Sequence, residues 1–445
     1  MNMKKVLLLG AGLVTRPLVR YLLEQPEIEL IIASRTVKKA DDLLEGHAKG
    51  KAVALDVKSE ENKLEELVKS TDISISLLPW IYHLKVAKLC LKHSKHLVTT
   101  SYVSPAMKEL DEEAKSKGLL FLNEIGLDPG IDHMSAMKII NDIQNRGGKV
   151  ASFESICGGL PAPDDNDNPL GYKFSWSPRG VLLAGRNTAH FLKNGEEVFV
   201  ENKNLFKTMW HKEAETLGKL EVYPNRDSMI YKELYGLKDS KTIFRGTFRN
   251  HGWCETLYNV VNLGWLDDTE RTELPGMNLR SVTAKVCNLS DDDNLKANLT
   301  KKLNLKDDSI VIKNFDWLSL FDKNIYVRPE LPTYIDVLAG RMLELMSYKK
   351  GERDMIVLQH DFIAEYPNKK ERIISLMIDY GIKNGDSAMA RTVSLPAAIA
   401  TKLICDGKFD GISGVHIPIL PEIYEPVLKE LAELKIVMKD SVSIL

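Results

Sequence analysis

The chain has no run of about eighteen uncharged apolar residues, the length a membrane-spanning helix needs, so no membrane partner is expected. It has few cysteines. Cys90, Cys157, Cys254, Cys287 and Cys405 are scattered without a CxxC pair, which excludes a zinc ribbon or a thioredoxin-type motif and fits a reducing compartment. Neither sign of charge is in excess: 60 basic against 62 acidic residues leave a net charge of -2, and nothing in that balance calls for a nucleic-acid partner. Internal repeats, low-complexity tracts, a P-loop, a Ser-His-Asp order and metal-ligand spacing are all missing, so no metal is expected. MNMKK leads straight into an apolar strand and the terminal SIL is not an SKL-type address, so a cytoplasmic location is expected. At 445 residues, two or three domains are expected.

One further absence lies in LLLGAGLVTRP, residues 7–17. A dinucleotide-binding turn reads G-x-G-x-x-G, and here Gly10 and Gly12 are present while Thr15 holds the third place. The first glycine permits the tight turn, the second lets backbone approach a pyrophosphate, and the third eases helix packing. The two that matter for phosphate are therefore kept. VLLLG reads as a buried parallel strand, and Pro17 suits the first turn of a helix expected over about 15–23, whose positive end faces any bound anion.

Strands expected at 5–9, 28–33, 52–55, 73–78, 96–100 and 119–123, with helices such as 60–69 and 105–117 between them, describe a doubly wound parallel sheet. NAD sites place an acid at the end of the second strand. Here Ser34-Arg35-Thr36 stands instead, and an arginine with two hydroxyls suits a 2′-phosphate. NADP is expected over NAD. Asp56-Val57 falls beside the adenine edge.

A helix is expected from Ile131 toward Arg146, and the texture changes from Val150 onward: longer loops, a strand at 241–245, a hairpin over 354–380 and short polar helices within 265–325. The residues give a dinucleotide-binding domain over about 1–130, followed by a mixed-sheet substrate domain with a small helical insertion. TTSYVSP (99–105), EIGLDPGIDH (124–133) and ESICGGLPAP (154–163) gather near strand ends, bringing forward Tyr102, Asp128, His133 and Cys157. Asp128 also reads as a helix cap, and His133 as structural. YPNRDS and FRGTFRN place Arg226, Arg245 and Arg249 beside turn residues, a setting for carboxylate recognition. The residues alone thus describe an NADP-dependent oxidoreductase acting on a polyanion.

SYVSPAMKEL, NEIGLDPGIDH, CGGLPAPDDNDNPLGYKFSWSPRGVLLA, YPNRDS, RGTFR and ERDMIVLQH carry a further signal. Through them the chain resembles, over essentially its whole length, the glutamate-forming saccharopine dehydrogenases. The resemblance implies interconversion of saccharopine with glutamate and 2-aminoadipate 6-semialdehyde, in lysine metabolism. It implies cofactor contacts at Ala11, Gly12, Leu13, Val14, Ser34, Arg35, Thr36, Asp56, Val57, Leu78, Thr100, Ser101, Leu127, Asp128 and Pro129, and at either Ser175 or Ser177. It implies substrate contacts at Ser101, Tyr102, Asp128, Arg226, Thr247, Phe248 and Arg249, the family's leucine being replaced by Phe248. Tyr102, Asp128 and Cys157 are the groups expected around the reacting nitrogen, with no single one assigned as base. The resemblance implies a variant Rossmann domain over 1–130 with 385–445 packing back on it, a mixed-sheet α/β substrate and dimerisation domain over 131–265 and 326–385, and a small all-helical domain over 266–325. Small-molecule substrates and a homodimer complete the expectation. The alternatives are a related imine reductase of polyamine synthesis, against which FRGTFR argues, and a nucleotide sensor without turnover.

Overall fold

The computed structural model describes residues 3–445. The chain divides into two compact units, 1–147 with 385–439, and 148–384 with 440–445.

In the first unit, apolar runs form the parallel strands β1 (Lys4–Leu9), β2 (Ile28–Ser34), β3 (Gly50–Ala54), β4 (Ile73–Ser76), β5 (His96–Thr99) and β6 (Leu120–Leu122). With the short strand Gly414–His416 at one edge, the order is Gly414–His416, β6, β5, β4, β1, β2, β3. Val6, Leu7, Leu8 and Leu9 are fully buried, as befits a strand covered on both faces. The first helix spans Arg16–Glu24 and carries Pro17 in its opening turn. The stretch expected as one helix over 105–117 is two, Pro105–Lys108 and Asp111–Ser116; the Leu110 amide bonds back to Met107, three residues away, which tightens and ends the first piece.

The first unit extends past the expected boundary at 130. The helix Ile131–Asn145 belongs to it, as does Gly385–Lys439. The long helix Ala388–Cys405 has the length and mean hydropathy of a membrane span, yet it carries Arg391 and Lys402 and packs inside this unit against Arg16–Glu24.

The second unit is built on a mixed sheet of β7 (Lys149–Pro161), β8 (Ala189–Lys193), β9 (Glu196–Val200), β10 (Trp210–Glu213), β11 (Lys219–Pro224), β12 (Thr242–Arg249), β13 (Asp354–Tyr366) and β14 (Lys369–Tyr380). The order is β10, β11, β12, β7, β13, β14 and then the C-terminal strand Lys439–Ile444, with β8 and β9 off this path. Only β12 and β7 pair in parallel; the expected hairpin is β13–β14, in register from Met355 opposite Tyr380 to Tyr366 opposite Lys369. The helices Leu279–Cys287, Leu295–Lys302 and Ile310–Trp317 do not form a third compact unit. Val282, Leu299 and Phe315 share one hydrophobic core with Val222, Phe248 and Val357 of the sheet.

Candidate active site

In the first unit the turn after β1 is built around Gly10, whose φ of 111° only glycine adopts freely; a Cβ there would stand 3.0 Å from the Leu77 carbonyl oxygen. Gly12 is exposed, and a Cβ added to it would meet nothing nearer than Thr15 Oγ1 at 4.0 Å. The protein itself leaves that space open, as a loop holding a pyrophosphate requires. Thr15 does more than pack. Fully buried, it accepts the Gly12 N–H on Oγ1 at 2.9 Å, closing the loop from inside. At the end of β2, Ser34 is half-buried and Arg35 and Thr36 are exposed; Arg35 has no carboxylate partner among the described residues, and no acid stands in the turn. The Asp56 amide donates to Glu60 Oε2 at 2.7 Å, leaving the Asp56 carboxylate to take the Lys58 N–H at 2.9 Å. Val57 is buried and Leu78 half-buried.

The strand ends of β5 and β6 bring Tyr102 and Asp128 together: the Tyr102 hydroxyl donates to Asp128 Oδ1 at 3.1 Å. Glu124 holds this arrangement. It accepts the Val103 N–H at 2.9 Å, pairs with buried His133 Nε2 at 2.8 Å, and donates its own N–H to the Ser101 carbonyl at 3.2 Å. His133 is thus structural. Asp128 is not the cap it also resembled; the helix starts after Gly130, where a Cβ would lie 2.0 Å from the Gly126 carbonyl oxygen, and Asp132 accepts the Gly130 N–H at 2.6 Å.

Sequence reasoning passed over His83. Its Nδ1 meets Ser76 Oγ at 2.8 Å and its Nε2 meets Ser101 Oγ at 2.8 Å, a chain running from β4 to the loop that carries Tyr102. Burial pulls the imidazole down to a pKa of about 4, so it is neutral near pH 7, one ring nitrogen donating and the other accepting. A lone histidine opening a helix gives no sequence signal of this role.

In the second unit, FRGTFR is strand and not turn, because its alternation continues β12 through Gly246. Arg245, Thr247 and Arg249 therefore share one sheet face, joined by Cys157 opposite Thr247 on β7 and by Tyr223 opposite Thr247 on β11. Phe248 projects from the other face into the core, fully buried, so its side chain does not belong with Thr247 and Arg249 as the resemblance had implied. Arg245 is already engaged: it is buried, its Nη1 donates to the Tyr231 hydroxyl, and its guanidinium lies 4.6 Å from the Tyr231 ring centre.

Arg249 is different. Only 6% exposed, it lies 5.0, 5.4 and 5.9 Å from the ring centres of Tyr172, Trp253 and Tyr223. Its Nη1 donates to the Phe248 carbonyl, its Nε has no partner, and no carboxylate pairs with it among the described residues. Burial pushes the Tyr172 and Tyr223 hydroxyls up, keeping them neutral beside the cation. A buried guanidinium with unspent donors is a site for an anion. Arg226 is exposed on the turn after β11, in left-handed backbone at φ 55°. Ser177 caps the helix Pro178–Ala184 by accepting the Gly180 N–H at 3.2 Å, whereas half-buried Ser175 makes no such bond. Cys157 is buried and in no disulfide.

Comparison with known proteins identifies the family. The profile described as "Saccharopine dehydrogenase NADP binding domain" matches residues 6–122, and "Saccharopine dehydrogenase C-terminal domain" matches residues 126–436. The chain belongs to the saccharopine dehydrogenase family. It is 41% identical to the NADP(+), L-glutamate-forming saccharopine dehydrogenase of Schizosaccharomyces pombe, over 97% of each chain. It is 37% identical to the mitochondrial alpha-aminoadipic semialdehyde synthase of Bos taurus, covering 96% of this chain and 46% of that one. Among solved structures, the apo L-Glu-forming saccharopine dehydrogenase of Saccharomyces cerevisiae matches with a TM-score of 0.90 and 39% identity, over 99% of this chain and 100% of that one. A homospermidine synthase from Legionella pneumophila, at 10% identity and a TM-score of 0.57, shares the fold. Saccharopine dehydrogenase family membership covers both units, the open turn at Gly12 and the unpaired arginine alike.

Proposed function

We propose that this chain is an NADP-dependent, L-glutamate-forming saccharopine dehydrogenase, interconverting saccharopine with L-glutamate and 2-aminoadipate 6-semialdehyde. The observation that carries this reading is the 41% identity over 97% of both chains with the fission-yeast enzyme of that activity. The unpaired Arg249 and the acid-free turn at Ser34-Arg35-Thr36 support it, the first suiting a substrate rich in carboxylates and the second a 2′-phosphate.

NADP, when bound, supplies the hydride acceptor in one direction and the donor in the other. The open turn from Gly10 to Val14 would hold its pyrophosphate at the start of the helix Arg16–Glu24. Ser34, Arg35 and Thr36 would take the 2′-phosphate, Asp56, Val57 and Leu78 the adenine side, and Thr100, Ser101 and Leu127 to Pro129 the nicotinamide end. Ser175, the hydroxyl not spent on a cap, is the better candidate from FSWS.

The chain's own work is orientation and proton handling. Arg249 would grip a carboxylate in a nest of rings that excludes water, where a charged pair is stronger than in solvent. Arg226 and the hydroxyl of Thr247 would take further oxygens. The secondary amine of saccharopine must lose a proton as the adjacent C–H is oxidised. Tyr102, donating to Asp128, would accept that proton on its oxygen while its own passes to the carboxylate. Cys157, on the sheet face of Thr247, is the remaining group of the set.

A homodimer and a cytoplasmic location complete the proposal, to be checked by light scattering and by imaging a tagged chain. Product analysis tests the chemistry: incubation with saccharopine and NADP+ is expected to release glutamate. Release of lysine instead would mean that the other C–N bond is cleaved, and would refute the reading.

A further inference from the structure

We propose that His211, Glu221 and His251 form a binding site for a divalent cation of the zinc class in the second unit. Nothing in the sequence announces it, since the three residues are spread over forty positions without a ligand spacing. The sheet assembles them. His211 on β10 stands opposite Glu221 on β11, and Glu221 stands opposite Arg249 on β12. Directly opposed residues project from the same sheet face. His251 lies in the turn two residues beyond Arg249, with Nδ1 3.4 Å from Glu221 Oε1.

One donor atom from each of the three lies within 4.8 Å of the others. Zinc bound to nitrogen and oxygen at about 2.0–2.1 Å in tetrahedral geometry needs donors roughly 3.4 Å apart. No pair of donors therefore has to close by more than about 1.4 Å, and His251 already stands at that spacing from Glu221. Both histidines are exposed, His251 at 76%, so a rotation about their side-chain bonds meets no packing.

The carboxylate needs no rearrangement. Glu221 is 2% exposed and already oriented, accepting the Gly252 N–H at 2.7 Å on Oε1 and the Cys254 N–H at 2.8 Å on Oε2. Oε1, on the side of His251, offers a second lone pair to a metal, while the Cys254 thiol also hydrogen-bonds the carboxylate. Such outer hydrogen bonds fix the direction of a ligating carboxylate.

Two imidazoles and one carboxylate select zinc, nickel or copper over magnesium and calcium, which want six or more oxygens. Three protein ligands leave a fourth position for water or an outside group. Arg249 on the same row, and the start of the helix Trp253–Leu263 beneath Glu221, oppose a cation. The affinity is therefore weaker than in a closed structural site.

Titration calorimetry of the full chain, first stripped with a chelator, tests this. Zinc chloride is expected to give one binding transition per chain and magnesium chloride none. The His211→Ala/His251→Ala variant, altered only at exposed side chains outside the proposed machinery, is expected to lose that transition while oxidising saccharopine at the wild-type rate. Cobalt should give visible d–d absorption with the wild type and not with the variant. Absence of a zinc transition, equal response to magnesium, or undiminished zinc binding by the variant would overturn the proposal.

Discussion

Arg249 sits among three aromatic rings with its Nε unpartnered, an arrangement that costs folding energy unless an anion arrives. Substituting Arg249→Lys keeps the charge but loses the planar fork that matches a carboxylate. Arg249→Lys is expected to raise the KM for saccharopine and Arg249→Ala, which leaves the carboxylate unpaired, to raise it further by a loss of about 2–5 kcal/mol, with NADPH affinity unchanged in both; steady-state kinetics and a fluorescence titration check the two halves. His83 makes a separate prediction. Its folded pKa of about 4 lies below the unfolded value near 6.5, so as pH falls through that window the unfolded chain takes up a proton that the folded chain refuses. Stability is therefore full above pH 6.5 and falls by roughly 3 kcal/mol as the pH approaches 4, and His83→Gln should flatten this part of a urea-denaturation profile. A wild-type profile as flat as the variant's would contradict it. At this scale the sequence was half legible. Tyr102 and Asp128 were readable as a pair of strand-end motifs, but only the fold separates the engaged Arg245 from the unpaired Arg249, since both are arginines on one strand face with Thr247 between them.

The loop 162–177 shows how an element without regular structure is fixed. Lys173, 2% exposed, reaches Asp167 and Glu352 at 2.8 Å each, and Asn168 accepts the Leu170 N–H and donates to the Tyr172 carbonyl. The Lys173 and Lys349 ammonium groups hold the Asp167 carboxyl down to about 2. The loop so pinned presents Tyr172 to Arg249. Lys173→Met leaves two acids without their buried cation, and is expected to destabilise the protein by about 3–5 kcal/mol. It should also raise the KM for saccharopine, measured below the variant's melting temperature, while NADPH still binds. FRGTFRN misled the reading in the opposite direction. Glycine and asparagine at its centre and end resemble turn punctuation, but Thr242, Ile243, Phe244 and Phe248 are strand formers and pairing with β7 and β11 overrides the glycine. Phe248 was counted with the site for the same reason: family position carries no information about which face a side chain takes.

For the whole molecule, the alternation of strands and helices in the first 130 residues was enough to give the parallel sheet, because each strand is bounded by turn residues and the central ones, β1 from Val6 onward and β4, are buried on both faces. The limits of the compact units were not legible. The helix Ile131–Asn145 joins the first unit and the polar helices of 279–317 share the second unit's core, and such choices depend on long-range packing that no local pattern encodes. The acid-free turn proposed to read the cofactor's 2′-phosphate lies in the first unit. Arg35→Ala should lose NADPH affinity about tenfold to more than a hundredfold, the value of a charge-assisted phosphate contact of about 1.5–3 kcal/mol, with NADH binding little changed in the same fluorescence titration. The account as a whole rests on saccharopine oxidation coupled to NADP. Its most direct test is the initial rate of reduced-cofactor formation, followed by near-ultraviolet absorbance, when saccharopine is added to the purified protein with either NADP+ or NAD+. The account predicts steady NADPH formation at a rate well above that with NAD+. No saccharopine-dependent NADPH formation, or equal rates with the two cofactors, would contradict it.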